Sequence, residues 1–245
     1  CIFSFRRCNR FFGHFKRSFI GTFSMTIWFY SMGFLPLATG LTLNYTNPIF
    51  MALFVFVMVL RRHAKIPWGL IIATIAGFAG VVLMLHPTVE TGQIKPALIG
   101  LCSGFLAAFV GLQIRELAKL HEPTWRIVFY FSLLGAIFSF IGQWVFSDGF
   151  HYPSPHGALC ILGIGVFATL GQIFMTRAYA YGNLLLSSCL GFSAIPFSAI
   201  FGYFIFDDPI TVMSLIAMSL VLASGVAASV TTKKMEATLV HGKKG

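Results

Sequence analysis

The chain has 245 residues, of which 57% are hydrophobic and only 10% are charged. Soluble domains carry about 25% charged residues, so this composition excludes a soluble globular domain. The 28 phenylalanines exclude a disordered chain. The composition therefore predicts an integral membrane protein.

The net charge of +10 has a membrane explanation. The basic residues lie in short segments between long apolar runs, where Lys and Arg set orientation in a bilayer. We therefore expect the lipid bilayer as a partner and no nucleic acid. The five cysteines form no CxxC pair, so the sequence suggests neither a metal site nor a redox motif, and we expect no cofactor.

In chain order, eight uncharged runs approach the length of about 20 apolar residues that a spanning helix needs. Short connections rich in Pro, Gly and charge separate them, and strand-type alternation is absent. The predicted fold is an all-α, polytopic membrane protein with eight transmembrane helices. The predicted spans are 18–35, 38–60, 67–85, 96–114, 127–146, 157–176, 184–206 and 210–230.

Two flanking segments lie outside these runs. Residues 1–17 form a basic leader without the charged, apolar and small-residue order of a signal peptide. Because residue 1 is Cys, we expect a piece of a longer chain, with 1–17 as the cytoplasmic remnant of an upstream loop. Residues 231–245 are expected to form a cytoplasmic tail.

The loops divide by charge. Eight spans place both termini on one side of the membrane, and only Lys95 of the 17 Lys and Arg residues falls on the other side. The positive-inside rule predicts that both termini are cytoplasmic and that His151 lies outside. The expected location is the cell (inner) membrane.

An internal repeat relates spans one to three to spans six to eight. Pro48 and Pro196 correspond at an offset of 148 residues, and Gly80 and Gly225 at 145. By symmetry two helices would precede the first copy, giving ten spans in two halves of five. Because five is odd, the halves have opposite orientations, and such inverted repeats place a substrate site between them near the bilayer midplane.

The same segments resemble a known family. The first EamA-type repeat of the drug/metabolite transporter superfamily is similar to FYSMGFLPLATGLTLNYTNPIF followed by WGLIIATIAGFAGVVLML. The second is similar to WRIVFYFSLLG, GQIFMTRAYAYGN and IPFSAIFGYFIFDDPITVMSLIAMSLVLASGV. The resemblance implies a truncated 5+5 transporter, with a partial first repeat over 18–86 and a second over 95–230. It also implies a secondary transporter of amino-acid-like, S-adenosylmethionine-like or drug-like solutes.

Since the predicted spans carry no charge, solute selection would depend on polar and aromatic side chains. Thr39, Thr42 and Thr46 share one helix face, as do Thr169, Gln172 and Thr176. Pro48 and Pro196 are predicted helix breaks, because a proline in a membrane helix frees a backbone carbonyl. The predicted substrate pathway comprises Trp28, Thr42, Asn44, Thr46, Asn47, Gln172, Thr176, Ser188 and Ser193.

Each of these residues also has a structural interpretation. Threonine hydroxyls in membrane helices commonly bond back to their own backbone, and small residues serve helix packing. Gln172 could reach the interface, and Trp28 could belong to the core. We expect Asn44, Asn47, Gln172 and Ser193 to line one cavity with Trp28 at its wall.

Two other functions compete with transport. An intramembrane enzyme would need a histidine within reach of a serine such as Ser193, and all seven histidines lie in predicted loops or tails. An inert assembly subunit would explain the packing motifs but not two proline-bearing polar helices in register. A small-molecule substrate is the expected partner, with a homodimer possible.

Overall fold

The computed structural model describes the backbone of residues 2–61, 67–86, 91–146, 154–206 and 211–241. Over these ranges the chain forms α-helices and two short 3₁₀ turns, Thr91–Gln93 and Gly191–Ser193. The helices are α1 (Ile2–Met32), α2 (Leu37–Asn44), α3 (Asn47–Arg61), α4 (Trp68–Leu85), α5 (Ile94–Lys119), α6 (Thr124–Phe146), α7 (Pro155–Tyr181), α8 (Leu184–Leu190), α9 (Ala194–Phe206) and α10 (Val212–His241).

The predicted membrane class is confirmed. Within the described ranges, seven helical segments are long and apolar enough to cross a bilayer, and they correspond to predicted spans two to eight. They are Leu37–Arg61, Trp68–Leu85, Ile94–Lys119, Thr124–Val145, Pro155–Tyr181, Leu184–Ile205 and Val212–Thr232. The protein is an all-α, polytopic membrane protein.

The predicted first span lies in α1 but differs from the other seven. This helix has 31 residues and continues without interruption through the predicted leader. It is less apolar because it carries a series of charged and hydroxyl side chains that the protein buries, including His14, Arg17, Ser18 and Thr22. A helix that turns its polar side chains toward protein need not match the composition of one surrounded by lipid.

Three histidines of the described ranges lie in helices. His14 is inside α1, His156 is in the first turn of α7, and His241 ends α10. The expectation that every histidine lies in a loop or an unstructured tail was therefore wrong for these three. The cause is the same in each case, because the helix extends beyond the apolar run that predicted it. His151 lies outside the described residues.

The chain divides into two compact units. The first contains Cys1–Met25 and Val110–Gly182, and the second contains Thr26–Phe109 and Asn183–Gly245. In the first unit, α6 packs against α7. Its core includes Ile114, Leu117, Ile127 and Val128, none of which is more than 4% exposed.

In the second unit, α4 packs along α10. Glycine permits the close approach, since a Cβ at Gly80 would lie 3.0 Å from the Ala217 carbonyl oxygen and 2.8 Å from a Val221 methyl carbon. Small residues at such crossings let membrane helices approach closely, which strengthens their van der Waals contact. Around this pair, α2 and α3 contact α4, α8 contacts both α4 and α10, and α9 contacts α10.

Candidate functional site

The helix predicted over 38–60 is broken near its start. In the structure α2 ends at Asn44, Tyr45 and Thr46 form a turn, and α3 begins at Asn47. Pro48 has no N–H to donate to the Asn44 carbonyl four residues earlier, so regular helical bonding cannot pass this point. The Thr46 hydroxyl donates to the Leu43 carbonyl at 2.6 Å.

The helix predicted over 184–206 is broken in a similar way. The Asn183 side chain caps its start by accepting hydrogen bonds from the backbone N–H groups of Leu185 and Leu186, both at 3.1 Å. After α8 the chain makes the 3₁₀ turn Gly191–Ser193 and resumes as α9. Pro196 removes the N–H that would reach the Phe192 carbonyl.

These two interruptions meet in the second unit. We call residues 44–48 and 191–196 the paired helix breaks. The Ser188 hydroxyl, one turn before the second break, donates to Asn47 Oδ1 at 3.4 Å. The rings of Tyr45 and Phe192 lie with their centroids 6.3 Å apart. Two proline-bearing helices, distant in sequence, thus contact each other where each is interrupted.

Neighbouring helices hold the paired helix breaks closely. Gly104 of α5 lies against the first, where a Cβ would come within 2.8 Å of the Leu43 carbonyl oxygen. Gly77 of α4 lies against the second, where a Cβ would come within 2.8 Å of the Phe192 ring. Phe192 and Ser188 are 0% and 2% exposed, so this region is interior protein.

The hydrogen-bonding groups at the breaks are uncharged amides, hydroxyls and carbonyls. The half-buried Asn44 carboxamide makes no hydrogen bond to any described residue. Together with the Asn44 carbonyl, which Pro48 leaves without a helical partner, it could bind a polar solute group, whereas the Phe192 carbonyl before Pro196 accepts a backbone N–H at the turn. Such groups accept and donate hydrogen bonds without the desolvation cost of a buried charge.

Three other predicted residues of the second unit bond to nearby backbone. The Trp28 indole N–H donates to the Gly40 carbonyl at 3.0 Å, which ties α1 to α2. The buried Thr42 hydroxyl donates to the Ala38 carbonyl at 2.8 Å. The Ser193 hydroxyl donates to the Leu190 carbonyl at 2.7 Å. For Thr42, Thr46 and Ser193 this is the back-bonding common in membrane helices.

A cavity of about 400 Å³ lies between α8, the 3₁₀ turn and α10. Of the predicted pathway residues, Ser193 is the one that lines it, together with Cys189, Ser229 and mostly apolar side chains. Among these, Leu190, Leu222 and Val226 are exposed on the protein surface. The cavity is therefore suited to a hydrocarbon chain rather than to a polar solute.

Gln172 and Thr176 belong to the first unit. The half-buried Gln172 accepts a hydrogen bond through Oε1 from Arg17 Nη2 at 3.4 Å. Thr176 is 0% exposed, and its hydroxyl has no hydrogen-bond partner among the described residues. The predicted polar face of α7 is thus turned into protein at these two positions.

Sequence reasoning missed the burial of Arg17. We counted it among the basic residues that orient the chain, yet it is 1% exposed. Its guanidinium lies over the Phe131 ring, 4.0 Å from the centroid. The available signal was the spacing of Gly13, Arg17 and Gly21, which share one helix face and leave room for a large side chain between two glycines.

A second polar group was also missed. Glu122, in the turn between α5 and α6, is 3% exposed. It accepts hydrogen bonds from His14 Nε2 at 3.1 Å and from Arg126 Nη1 at 2.9 Å. Burial would raise the pKa of Glu122, but the hydrogen bonds from His14 and Arg126 outweigh it, and the net pKa lies below 4.5. Residues distant in sequence form this group, so no local pattern reveals it.

The fold and the paired helix breaks define a polytopic membrane protein with interrupted, proline-bearing helices, an arrangement typical of secondary transporters. The EamA-like transporter family model matches residues 94–230. The chain belongs to this family, which is part of the drug/metabolite transporter superfamily.

Relatives extend the similarity over most of the chain. An uncharacterized transporter of Helicobacter pylori strain J99 is 28% identical over 212 residues, covering 85% of this chain and 70% of that protein. The pseudopaline exporter CntI of Pseudomonas aeruginosa strain UCBPP-PA14 is 25% identical over 217 residues, covering 89% and 74%. The S-adenosylmethionine uptake transporter of Rickettsia prowazekii is 23% identical over 206 residues, covering 82% and 66%.

The fold also matches a solved structure. A crystal structure of a protein superposes with a TM-score of 0.77 at 17% sequence identity, covering 90% of this chain and 77% of that one. This likeness concerns the fold alone. The family match and the fold together assign the chain to a membrane transporter that lies in the lipid bilayer and binds small molecules.

Proposed function

We propose that the protein is a secondary transporter that moves small organic metabolites across the cell membrane, with the paired helix breaks on the solute pathway. The observation that carries the proposal is the contact between Asn47 and Ser188, which joins the two interrupted helices. Interrupted helices expose backbone N–H and C=O groups that a continuous helix would use in its own hydrogen bonds. These groups can bind a solute within the bilayer.

The chemistry at the breaks favours solutes that form several hydrogen bonds. An amide, hydroxyls and the Asn44 carbonyl can bind amino, hydroxyl and amide groups, and the neighbouring Tyr45 and Phe192 can contact a ring. Amino-acid-like, S-adenosylmethionine-like and drug-like solutes have these features. Among the relatives, one is named as a pseudopaline exporter and another as an S-adenosylmethionine uptake transporter.

The charge distribution supports an orientation for this transporter. Since Lys95 is the one basic residue of 17 on its side of the predicted membrane, both ends of the chain would face the cytoplasm. One relative is named an exporter and another an uptake transporter, so these names do not favour either direction of transport for this protein. The inverted repeat would place the solute site where the two proline-bearing helices meet.

Solute flux through the purified protein in liposomes tests the proposal, with S-adenosylmethionine as the first radiolabelled probe. We expect Asn47→Ala and Ser188→Ala each to lower flux by roughly tenfold, the effect of losing about one polar contact. Ser187→Ala, the same truncation one residue earlier on α8, is the matched control and should retain flux.

The competing interpretation, an inert assembly subunit, gives a different result. In that case neither the wild-type protein nor its variants would move any metabolite faster than protein-free liposomes. A screen over amino acids and S-adenosylmethionine that finds no protein-dependent flux would reject the transporter proposal. Equal flux in wild-type, Asn47→Ala and Ser188→Ala liposomes would reject the assigned pathway.

A further inference from the structure

Arg17 is a buried cation without a carboxylate partner among the described residues. It is 1% exposed, and its guanidinium has five N–H donors that need acceptors. Gln172 Oε1 accepts one of them at 3.4 Å. No described residue accepts a hydrogen bond from Nε or from Nη1.

Glu122, a buried acid of the first unit, has two other described partners. It accepts hydrogen bonds from His14 and Arg126 through the same oxygen, Oε2. Glu116 is exposed on the C-terminal part of α5. Gln172 is neutral, so its oxygen accepts one hydrogen bond and leaves the positive charge without a counter-ion among the described residues.

The surroundings of Arg17 are shaped to hold a guanidinium. The Phe131 ring stacks against its face, 4.0 Å from ring centroid to Cζ, as guanidinium groups prefer. One turn further along α1, a Cβ at Gly21 would lie 3.3 Å from Arg17 Nη1 and 3.1 Å from the Phe131 ring. Glycine thus leaves the space that the guanidinium needs.

Other polar groups of the first unit also lack partners within the described residues. Gln113 of α5 is 4% exposed, and neither atom of its carboxamide is hydrogen-bonded. It lines a cavity of about 200 Å³ with Gly13, Lys16 and Glu116, and Arg17 is not among the residues that line it. The Thr176 hydroxyl lies one helical turn after Gln172. Three helices therefore place buried polar groups without described partners in the unit that contains Arg17.

A buried charge is costly unless it is paired and hydrogen-bonded. Arginine cannot avoid this cost by losing its proton, because its charge persists in proteins. Its planar donors match a carboxylate, which can accept two parallel hydrogen bonds and neutralise the charge. A ligand carboxylate would neutralise the charge and could accept two parallel hydrogen bonds, one from Nη1 and one from the second N–H of Nη2.

We infer that the Arg17 guanidinium binds the carboxylate of the transported solute, with Gln172 beside it and Phe131 beneath it. This inference rests on the proposed transport function and narrows the solute class to carboxylic acids and amino-acid zwitterions. The carboxylate would bind within the first unit, to which Arg17, Phe131 and Gln172 all belong.

Matched solute pairs test the inference. The probes are S-adenosylmethionine with its decarboxylated form, L-tryptophan with tryptamine, and L-histidine with histamine. In phosphatidylcholine liposomes, the wild-type protein should move the carboxylate member of at least one pair. The amine lacking the carboxylate should compete with it tenfold to a hundredfold less well, the range for hydrogen bonds to charged groups.

Arg17→Gln should abolish the preference for the carboxylate member, and Arg17→Lys should restore part of it because the charge is kept. The control is Arg177→Gln, which removes an exposed guanidinium from α7 and should leave the preference unchanged. Equal preference in wild-type and Arg17→Gln liposomes, with flux intact, would overturn the inference while leaving the transport proposal standing.

A second measurement does not depend on transport. Acetate, but not acetamide, should raise the thermal midpoint of the wild-type and Arg177→Gln proteins in phosphatidylcholine nanodiscs, and Arg17→Gln should lose this shift. A different result would be no effect of acetate but a higher midpoint with phosphatidylglycerol, for the wild type and not for Arg17→Gln. In that case the ligand is a lipid headgroup and the inference fails. If Arg17→Gln lowers the midpoint and acetate shifts neither protein, Arg17 is structural and the inference also fails.

Discussion

His14 is a buried histidine whose protonation is linked to the stability of the first unit. Its Nε2–H donates to Glu122 Oε2, and its ring lies 4.7 Å from the Tyr130 ring, centroid to centroid. Burial lowers the pKa of His14 below its ordinary value of 6.5, and the hydrogen bond to Glu122 offsets this only in part. The folded protein therefore favours the neutral histidine.

The direction of the pH effect follows from these shifts. Because the folded-state pKa of His14 is lowered, the unfolded chain binds more protons below pH 6.5, and stability falls as pH decreases from 6.5 through the folded pKa. The pKa of Glu122 is also lowered in the folded protein, so its ionised carboxylate stabilises the fold at pH values above 4.5. This stabilisation is lost as the pH falls through the folded-state pKa of Glu122, which is a lower pH range than for His14.

We predict that the thermal midpoint of the purified protein falls between pH 7 and pH 5.5, and that His14→Gln flattens this dependence. Glutamine keeps an N–H donor for Glu122 but does not titrate in this range. Thermal unfolding in detergent at several pH values measures the effect. The same slope in both proteins would show that His14 does not control the acid sensitivity.

The same residues show what sequence can predict at this scale. Asn47 and Ser188 were identified from polarity alone, since polar side chains in apolar helices need partners. Arg17 was not recognised as buried, because positive-inside reasoning assigns every basic residue near a helix end to the cytoplasm. Packing against Phe131 of α6 and Gln172 of α7 buries it, and local sequence does not contain that information.

At the scale of elements, close packing at the breaks depends on glycine. A Cβ at Gly104 would come within 2.8 Å of the Leu43 carbonyl oxygen, and backbone cannot move aside as a flexible side chain can. In contrast, a Cβ added at Gly163 of α7 would have no neighbouring atom within 4 Å. These two helical glycines therefore form a matched pair for substitution.

We predict that Gly104→Ala destabilises the protein by about 1–3 kcal/mol, the usual cost of overpacking a tight site. Gly163→Ala should be neutral or stabilising by up to about 1 kcal/mol, because alanine is the better helix former. Reversible unfolding in mixed micelles measures both changes. A stable Gly104→Ala protein would show that α5 does not hold the first break as closely as described.

Apolar runs predicted spans two to eight correctly, since bilayer thickness dictates the length of such runs. They did not predict that α1 continues from the leader or that α10 continues to His241, because a helix can extend into water beyond its apolar part. The interruptions begin before each proline, at residues 45 and 191, because proline removes the hydrogen bond to the carbonyl four residues earlier.

At the scale of the whole molecule, orientation remains a prediction from charge. Cysteines placed at residues 151 and 238 of a cysteine-free protein should react with a membrane-impermeant thiol reagent from opposite sides of the membrane. Residue 151 should react in intact cells and residue 238 only after lysis. Reaction of both from the same side would contradict the predicted topology and its even number of spans.

The transport account predicts that the paired helix breaks contact solute. Asn44 is the most informative position, because its carboxamide has no hydrogen-bond partner among the described residues. A cysteine at this position should be accessible to water and react with a small water-soluble thiol reagent. Bound solute should protect it from the reagent. Phe167→Cys on α7, where the native side chain is 77% exposed, is the control for a lipid-facing position.

Solute protection of Asn44→Cys, measured in an otherwise cysteine-free protein in liposomes, shows whether solute passes the paired helix breaks. We predict that Asn44→Cys reacts with the reagent, that a transported solute slows the reaction several-fold, and that Phe167→Cys shows no such protection. An unreactive Asn44→Cys, or a reaction rate that saturating solute does not change, would contradict the assignment of the paired helix breaks to the solute pathway.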